Sequence, residues 1–182
     1  DEAEILDAVR SMSRSGKVDG FIILYSKKDD PVIDYLFNEG LLYILIGKAT
    51  QYTNQTIYID NDNLLAGREA AEYLYQLGHR RIAYLGSDSS LMFSADRKAG
   101  YQLALASHQL PVRPEYLSII SFNNSLFARL TSPQLTSIDI GAGQLGSEAA
   151  SQIINHIENP NLLATKIIVP HHLIERDSCC KI

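Results

Sequence analysis

The feature of this sequence that most constrains its fold is the regular alternation of short apolar runs with amphipathic segments. The runs are rich in branched aliphatic residues and bounded by polar ones, which is typical of buried strands. They occupy residues 18–25, 41–46, 56–59, 82–86, 117–122, 166–169 and 173–174. Apolar residues recur at helical spacing in segments 1–15, 29–38, 64–77, 94–107 and 143–158. Because short connections join the two kinds of segment, the alternation predicts parallel βαβ units, and hence an α/β fold with helices on both faces of its sheets.

Composition narrows the function classes. The 182 residues carry 16 Lys and Arg against 21 Asp and Glu, a net charge of −5, which argues against a main contact with nucleic acid. No apolar run is long enough to cross a bilayer, so we expect a soluble globular chain. The two cysteines, Cys179 and Cys180, are adjacent and supply neither a disulfide framework nor metal-ligand spacing. A reducing cytoplasm is therefore the expected compartment.

The sequence predicts no enzyme and no cofactor. Residues 141–146 spell G-x-G-x-x-G, but we find no trustworthy strand–turn–helix context around them, and a helix start is the favoured interpretation. His171 and His172 are neighbours, so in an extended segment they point to opposite faces and cannot share a metal ion. A G-x-S-x-G nucleophile elbow is also absent from the sequence. We therefore expect neither a catalytic nor a metal site.

One motif is more informative than these absences. Residues 77–86, L-G-H-R-R-I-A-Y-L-G, resemble the L-G-H-R-x-I-A signature of the LacI/GalR family of transcriptional regulators. Further segments resemble the family in the correct order along the chain, at residues 18–22, 59–61, 97–104, 121–124, 133–138 and 173–178. The variants of these motifs look most like the maltose-operon repressor branch of that family.

The resemblance implies a fold like that of a periplasmic sugar-binding protein. Two lobes, each a parallel sheet flanked by helices, would be joined by three crossovers with a small effector in the cleft between them. Matching segments place the crossovers near residues 60–61, 137–138 and 161–165. The first lobe would comprise residues 1–60 plus 140–163, and the second residues 61–138 plus 164–182.

The best-matched effector residue is Arg97, which we expect at the start of a helix. Its planar fork of donors could reach two sugar hydroxyls; the alternative is a surface arginine paired with Asp96 or Glu115. Asn123 stands where many family members carry Asp. Its amide could still grip a vicinal diol, but without a charge-assisted bond.

Four further candidates are weaker. Phe93 and Met92 match the loop that lines the cleft in the family, where an aromatic face could stack on a pyranose; anchoring a buried loop is the alternative. Tyr25 is expected to end a strand and face the ligand, because open α/β sheets bind ligands at strand carboxyl ends. Asp60 could be a hinge residue or a helix cap. His79, in contrast, is expected to hold the turn that leads into the next strand.

The sequence departs from the family in two places. The N-terminal helix-turn-helix and the first strand and helix of the core have no match here. Between Pro111 and Ser118 the family carries roughly 50 residues of βαβα structure, whereas only six residues intervene here. Either the sequence joins separate pieces or is truncated, or a natural deletion has removed central strands of the second lobe. A deletion would expose a long apolar edge.

The resemblance implies the effector-sensing and dimerisation core of a transcriptional repressor. It would be a cytoplasmic homodimer that senses maltose or a related α-glucoside and reaches operator DNA through an N-terminal domain absent from these residues. Sugar would close the cleft and shift the population of a DNA-binding form. The alternative is a free-standing sugar-binding protein of a transport system. A sugar-metabolising enzyme ranks last, because no pair of carboxylates can be nominated for catalysis.

Overall fold

The computed structural model describes residues 2–25, 27–86, 88, 90–112, 119–179 and 181. Their elements, in chain order, are α1 (Glu2–Arg14), β1 (Phe21–Ile23), α2 (Pro31–Asn38), β2 (Tyr43–Ile46), β3 (Ile57–Asp60), α3 (Asn63–Gln76), α4 (Met92–Ser107), β4 (Ser121–Phe122), α5 (Leu126–Leu130), β5 (Ser137–Asp139), α6 (Ala142–Glu158), β6 (Lys166–Ile168) and β7 (His172–Ile174). The five predicted helices are confirmed, each within two residues of its expected ends. None of the described helices has the length and apolar character needed to cross a bilayer.

The chain divides into two compact units, which are described separately. The first comprises Asp1–Asp60 and Gly143–Ile167, and the second comprises Asn61–Ala142 and Ile168–Ile182. The chain therefore passes between the units near residues 60, 142 and 167. The assignment of residues to two functional lobes stays a prediction.

The first unit is built on a sheet of order β1-β2-β3-β6. β1 pairs with β2, and β2 with β3, in parallel register, as the alternating pattern predicts. β2 is almost fully buried, and its side chains pack with Val9 of α1 and with Ile33 and Leu36 of α2. Helix α2 begins where the sequence signals it: the Asp30 side chain accepts from the Val32 N–H, and Pro31 fills the first helical position.

The second unit combines a small sheet with two closely packed helices. The sheet has the order β4-β5-β7, with β4 parallel and β7 antiparallel to β5. Helices α3 and α4 approach each other through glycines that leave no room for a side chain. Helix α3 ends as predicted, because the N–H groups of Gly78 and His79 bond back to the carbonyls of Tyr75 and Leu74. In this Schellman arrangement the His79 backbone holds the turn after α3, as expected, but the strand expected to follow the turn does not form.

Several predicted strands are wrong in part. Residues 82–86 form no strand, because a strand requires a hydrogen-bonded neighbour and none of the described residues supplies one. β1 is confined to Phe21–Ile23 and β4 to Ser121–Phe122, and both strands are shorter than predicted. The apolar run in the sequence extends beyond the residues that pair with a neighbouring strand. Residues 117 and 118 lie outside the described residues. Helix α5 and strand β5 were not expected as elements.

Candidate functional site

Arg97 is the centre of the candidate site in the second unit. It lies in the second turn of α4 and is buried, with 9% of its surface exposed. Its Nε donates to the Asn63 Oδ1 at 2.8 Å. Its Cζ lies 4.9 Å from the centroid of the Phe93 ring and 4.1 Å from that of Phe122. A guanidinium between two aromatic faces and an amide is held in one orientation, which is what recognition of paired hydroxyls requires.

The alternative interpretation of Arg97 as a surface residue is therefore wrong. A side chain that is nine-tenths buried keeps its charge only where nearby groups replace its lost hydration. Two aromatic rings and the Asn63 amide provide part of that replacement. Glu115, one of the proposed surface partners, lies outside the described residues.

The helix pair fixes where Arg97 stands. A Cβ atom built on Gly67 of α3 would lie 2.8 Å from the Cα and carbonyl carbon of Arg97 and closer still to its carbonyl oxygen. A Cβ on Gly100 of α4 would lie 2.7 Å from the Arg68 backbone nitrogen. Both distances are shorter than any ordinary contact, so glycine at these positions is what lets α3 carry Asn63 up to the Arg97 side chain.

The prediction that Phe93 and Met92 lie in a loop is wrong. Both residues lie in the first turn of α4. The helix begins early because the N–H groups of Ser94 and Ala95 both bond to the Leu91 carbonyl. Both side chains are half-buried. Phe93 contacts the Arg97 guanidinium. The aromatic residue and the arginine are therefore brought together by successive turns of one helix, and not by a loop and a helix.

A cavity of about 570 Å³ adjoins Arg97. Its walls are mainly apolar and include Ala70, Leu74, Ile82, Tyr84, Tyr101 and Ile120, while Arg97, Ser94 and Ser121 add polar groups. The Tyr101 hydroxyl donates to the Ile82 carbonyl at 2.8 Å, and burial raises the pKa of its phenol. The volume is within the range of small-molecule pockets.

Asn123 lies in a tight turn directly after β4. Asn123 and Asn124 both have left-handed backbones, with φ of 75° and 44°, a conformation that asparagine tolerates better than most residues. The Asn123 N–H donates to the Ile138 carbonyl at 2.8 Å, and its side chain is exposed. Its predicted role in gripping a diol stays a prediction.

The neighbouring Asn124 holds this turn in place. Its Nδ2 donates to the Asp139 Oδ2 at 2.8 Å, and its Oδ1 accepts from the Arg176 guanidinium. The Asn124 amide, together with the Gly141 N–H, lowers the pKa of Asp139 below its usual value. Sequence reasoning missed Asn124 because its partners come from distant parts of the chain.

Tyr25 and Asp60 belong to the first unit. Tyr25 does not end a strand, since β1 ends two residues earlier at Ile23; its side chain is 37% exposed. Asp60 is the last residue of β3 and is buried. The helix-cap interpretation of Asp60 is wrong, because the carboxylate of Asp62 accepts from the Leu65 N–H and caps α3. The hinge and ligand roles of these two residues stay predictions.

The sequence placed Asn61 near a crossover between lobes but predicted no role for its side chain. Its buried side chain donates from Nδ2 to the carbonyl of Ile140 at 2.9 Å and to that of Val169 at 2.8 Å. These three residues are adjacent to the places where the chain passes from one unit to the other. One amide therefore joins three segments of the second unit that lie far apart along the chain.

His171 and His172 were considered as metal ligands in the sequence, so the described polar residues were searched for a metal centre. Among the described residues, no group of three or more His, Cys, Asp or Glu side chains could hold a metal ion. His171 instead contacts Glu69 of α3, with its Nε2 2.9 Å from the Oε2. This contact joins α3 to the segment that precedes β7.

Family comparisons cover most of the chain. The family of periplasmic binding proteins and sugar binding domains of the LacI family matches residues 1–123. The periplasmic binding protein-like domain matches residues 112–179. The two matches together cover residues 1–179 of the 182.

Relatives agree with these models. The chain is 28% identical over 225 residues to the transcriptional regulator MalR of Staphylococcus xylosus, covering 96% of this chain and 66% of that protein. It therefore spans just under two thirds of that relative. Since 96% of 182 residues is about 175, about 50 aligned positions of the relative have no counterpart here.

Solved structures show the same fold. The structure of a protein from Bacillus cereus subsp. cytotoxis, described as a transcriptional regulator LacI, superposes on this chain with a TM-score of 0.95 at 31% sequence identity. The match covers 100% of this chain and 83% of that one. The structure of a protein from a second Staphylococcus species, described as a maltose operon transcriptional repressor, superposes with a TM-score of 0.88 at 23% sequence identity. The match covers 97% of this chain and 81% of that one. The family match over residues 1–123 and this structural agreement lead to one conclusion: the chain belongs to the LacI family of periplasmic-binding-protein-like domains.

Proposed function

We propose that this chain is the effector-sensing and dimerisation core of a LacI/GalR-type transcriptional repressor that binds a sugar at Arg97. The observation that carries the proposal is the fixed guanidinium between Phe93 and Phe122, held by Asn63. A planar cation with several donors suits two adjacent hydroxyls, and aromatic faces suit the apolar side of a pyranose. Participation of Met92, Asn123, Tyr25 and Asp60 belongs to the same proposal.

The sugar class follows from relatives as well as chemistry. One structural neighbour is described as a maltose operon repressor. A second relative, 28% identical in sequence, is the regulator MalR of Staphylococcus xylosus. These support maltose or a related α-glucoside as the effector. Asn123 offers an uncharged amide where many relatives carry Asp, which favours a ligand bound through many weak contacts over a tightly held monosaccharide.

The rest of the proposed function concerns the whole protein. The relatives are transcriptional regulators rather than enzymes, which supports a non-enzymatic role in the cytoplasm. Operator DNA would be contacted by an N-terminal domain outside these residues, in a homodimer. Sugar would act through its different affinities for two forms of the protein, because a ligand with equal affinity for both shifts nothing.

The proposal is tested by isothermal titration of the protein with maltose, glucose and a maltodextrin, repeated with Arg97→Ala. We expect saturable binding of maltose, weakened at least tenfold by the substitution, since loss of a charge-assisted hydrogen bond costs about 1.5–3 kcal/mol. Arg68→Ala is the matched control, because Arg68 is an exposed arginine on the neighbouring helix α3. It should leave sugar affinity unchanged.

Two results would contradict the proposal. Absence of binding heat with every sugar would remove sugar as the effector, and equal maltose affinity in Arg97→Ala would move the site elsewhere. If maltose binds, operator affinity of the full-length protein should then be measured with and without sugar. Unchanged operator affinity would refute the regulatory part.

A further inference from the structure

The cavity beside Arg97 has a polar end. Ser94, Arg97 and Ser121 contribute polar side chains to its wall. Ser94 follows Phe93 along the chain and Ser121 precedes Phe122. Because both of these aromatic rings contact the Arg97 guanidinium, the three polar side chains are gathered around one point.

The cavity continues from this polar end along helices α3 and α4. On α3 its wall runs from Gly67, which closely approaches the Arg97 backbone, to Leu74. At a rise of about 1.5 Å per residue, this stretch is about 10 Å long. Leu74 belongs, with Ile82 and Tyr101, to a buried apolar cluster of the second unit. The far end of the cavity is therefore apolar.

Two phenol groups in the cavity wall have no proton to offer a ligand. The Tyr101 hydroxyl donates to the Ile82 carbonyl at 2.8 Å, and the Tyr84 hydroxyl donates to the Ser94 carbonyl at 3.3 Å. A ligand hydroxyl at the far end would meet carbon atoms, or oxygen atoms whose protons are already used. Because a hydroxyl buried without a partner costs free energy, a ligand with hydroxyls at both ends fits this cavity poorly.

We propose that the effector is an amphipathic α-glucoside. Its sugar hydroxyls bind at Arg97, and its anomeric carbon carries an apolar alkyl or aryl group that lies against Leu74, Ile82 and Tyr101. This inference rests on the sugar site proposed above and adds the apolar group to it. Hydroxyls need the donors and acceptors of the polar end, whereas an alkyl or aryl group gains free energy simply by leaving water for the apolar end.

The test compares ligands that share one head group and differ in the length of the apolar group. The protein is titrated calorimetrically with methyl, butyl and hexyl α-D-glucosides. Each methylene that passes from water into an apolar site strengthens binding about fourfold. We expect the hexyl glucoside to bind at least tenfold more tightly than the methyl glucoside, because two buried methylenes are enough for that gain. Hexanol, which lacks the sugar, should bind at least tenfold more weakly than the hexyl glucoside.

Ala70→Leu tests where the apolar group lies. Ala70 lines the cavity about one turn beyond Gly67 on α3, so a leucine there occupies part of the volume proposed for the apolar group. The ratio of hexyl to methyl glucoside affinity should fall at least fivefold, while the affinity for the methyl glucoside changes less than twofold. Ala150→Leu is the matched control, because Ala150 is an exposed alanine on α6 of the first unit.

Three results would overturn the proposal. They are equal affinities for methyl and hexyl glucosides, equal affinities for hexanol and the hexyl glucoside, and an affinity ratio that Ala70→Leu leaves unchanged. The first two comparisons use the unsubstituted chain, so they decide the matter even if Ala70→Leu does not fold.

Arg97→Ala separates this inference from the proposed function. Glucosides whose binding depends on Arg97 but not on chain length would refute the apolar group and leave the sugar site in place. Absence of binding by every glucoside and by maltose would refute the sugar site as well.

Discussion

Replacing Gly67 with alanine should destabilise the second unit, although alanine is the better helix former. The added methyl would lie 2.8 Å from the Cα and carbonyl carbon of Arg97, whereas ordinary contacts begin near 3.4 Å. The facing atoms are backbone, so α3 and α4 must separate to relieve the clash. Overpacking of this kind costs about 1–3 kcal/mol, against a gain of about 0.5–1 kcal/mol from replacing a helical glycine. The clash should therefore outweigh the gain in helix propensity, by about 1 kcal/mol at the middle of both ranges.

Gly146→Ala is the matched control. Gly146 is also inside a helix, α6, and a Cβ there would meet nothing within 4 Å. The same chemical change should therefore stabilise the protein by about 0.5–1 kcal/mol. The two substitutions share their effect on intrinsic helix propensity, so a difference in sign isolates the helix–helix contact.

The assay is urea unfolding followed by circular dichroism, with hydrogen exchange to assign the change to a unit. With a slope of about 2 kcal/mol per molar urea, the middle of the usual range, Gly67→Ala should lower the midpoint by roughly half a molar. Amides of α3 and α4 should exchange faster, while those of α6 should not. A Gly67→Ala protein as stable as Gly146→Ala would refute the reasoning, because the close approach of the two helices would then carry no free energy.

Three other predictions rest on single contacts. Asn61→Ala should lower the free energy of unfolding by about 2 kcal/mol or more, measured by urea unfolding, because two backbone carbonyls lose their donor; an unchanged midpoint would contradict it. The lowered pKa of Asp139, caused first by the Asn124 amide, means that its contribution to stability is present above the ordinary carboxyl pKa and lost as pH falls through the lowered one. Asp139→Asn should therefore flatten the acid limb of stability against pH, and an identical limb would count against this role. Burial and a hydrogen bond to Glu175 raise the pKa of Tyr73 to about 12, so Tyr73→Phe should remove one phenol that ionises near pH 12 from the ultraviolet titration. An unaltered curve would exclude the assignment.

Local signals in the sequence were enough to place five of the six described helices. Asp30 and Pro31 start α2, and Gly78 ends α3 with a left-handed turn. These features act between residues close in the chain, so their physics is readable without knowledge of the fold. The family signature at residues 77–86 was equally readable, and the family models agree with it.

The surroundings of Arg97 were not readable in this way. The sequence nominated the arginine and Phe93, but Asn63 lies 34 residues away from Arg97 along the chain, and Phe122 comes from another element. Their convergence depends on the close approach of α3 to α4. Only the packed structure shows that two glycines permit it.

The segment 82–86 marks the clearest boundary between the two kinds of information. Its composition determined that it is suited to a buried strand. Its observed state was decided by the absence of a described neighbour, because a strand is stabilised by hydrogen bonds to a partner rather than within itself. A helix closes its hydrogen bonds locally, so the sequence by itself determined the five longer helices and the α/β pattern. Strand pairing and the environment of Arg97 are non-local, and they were decided only by the tertiary structure.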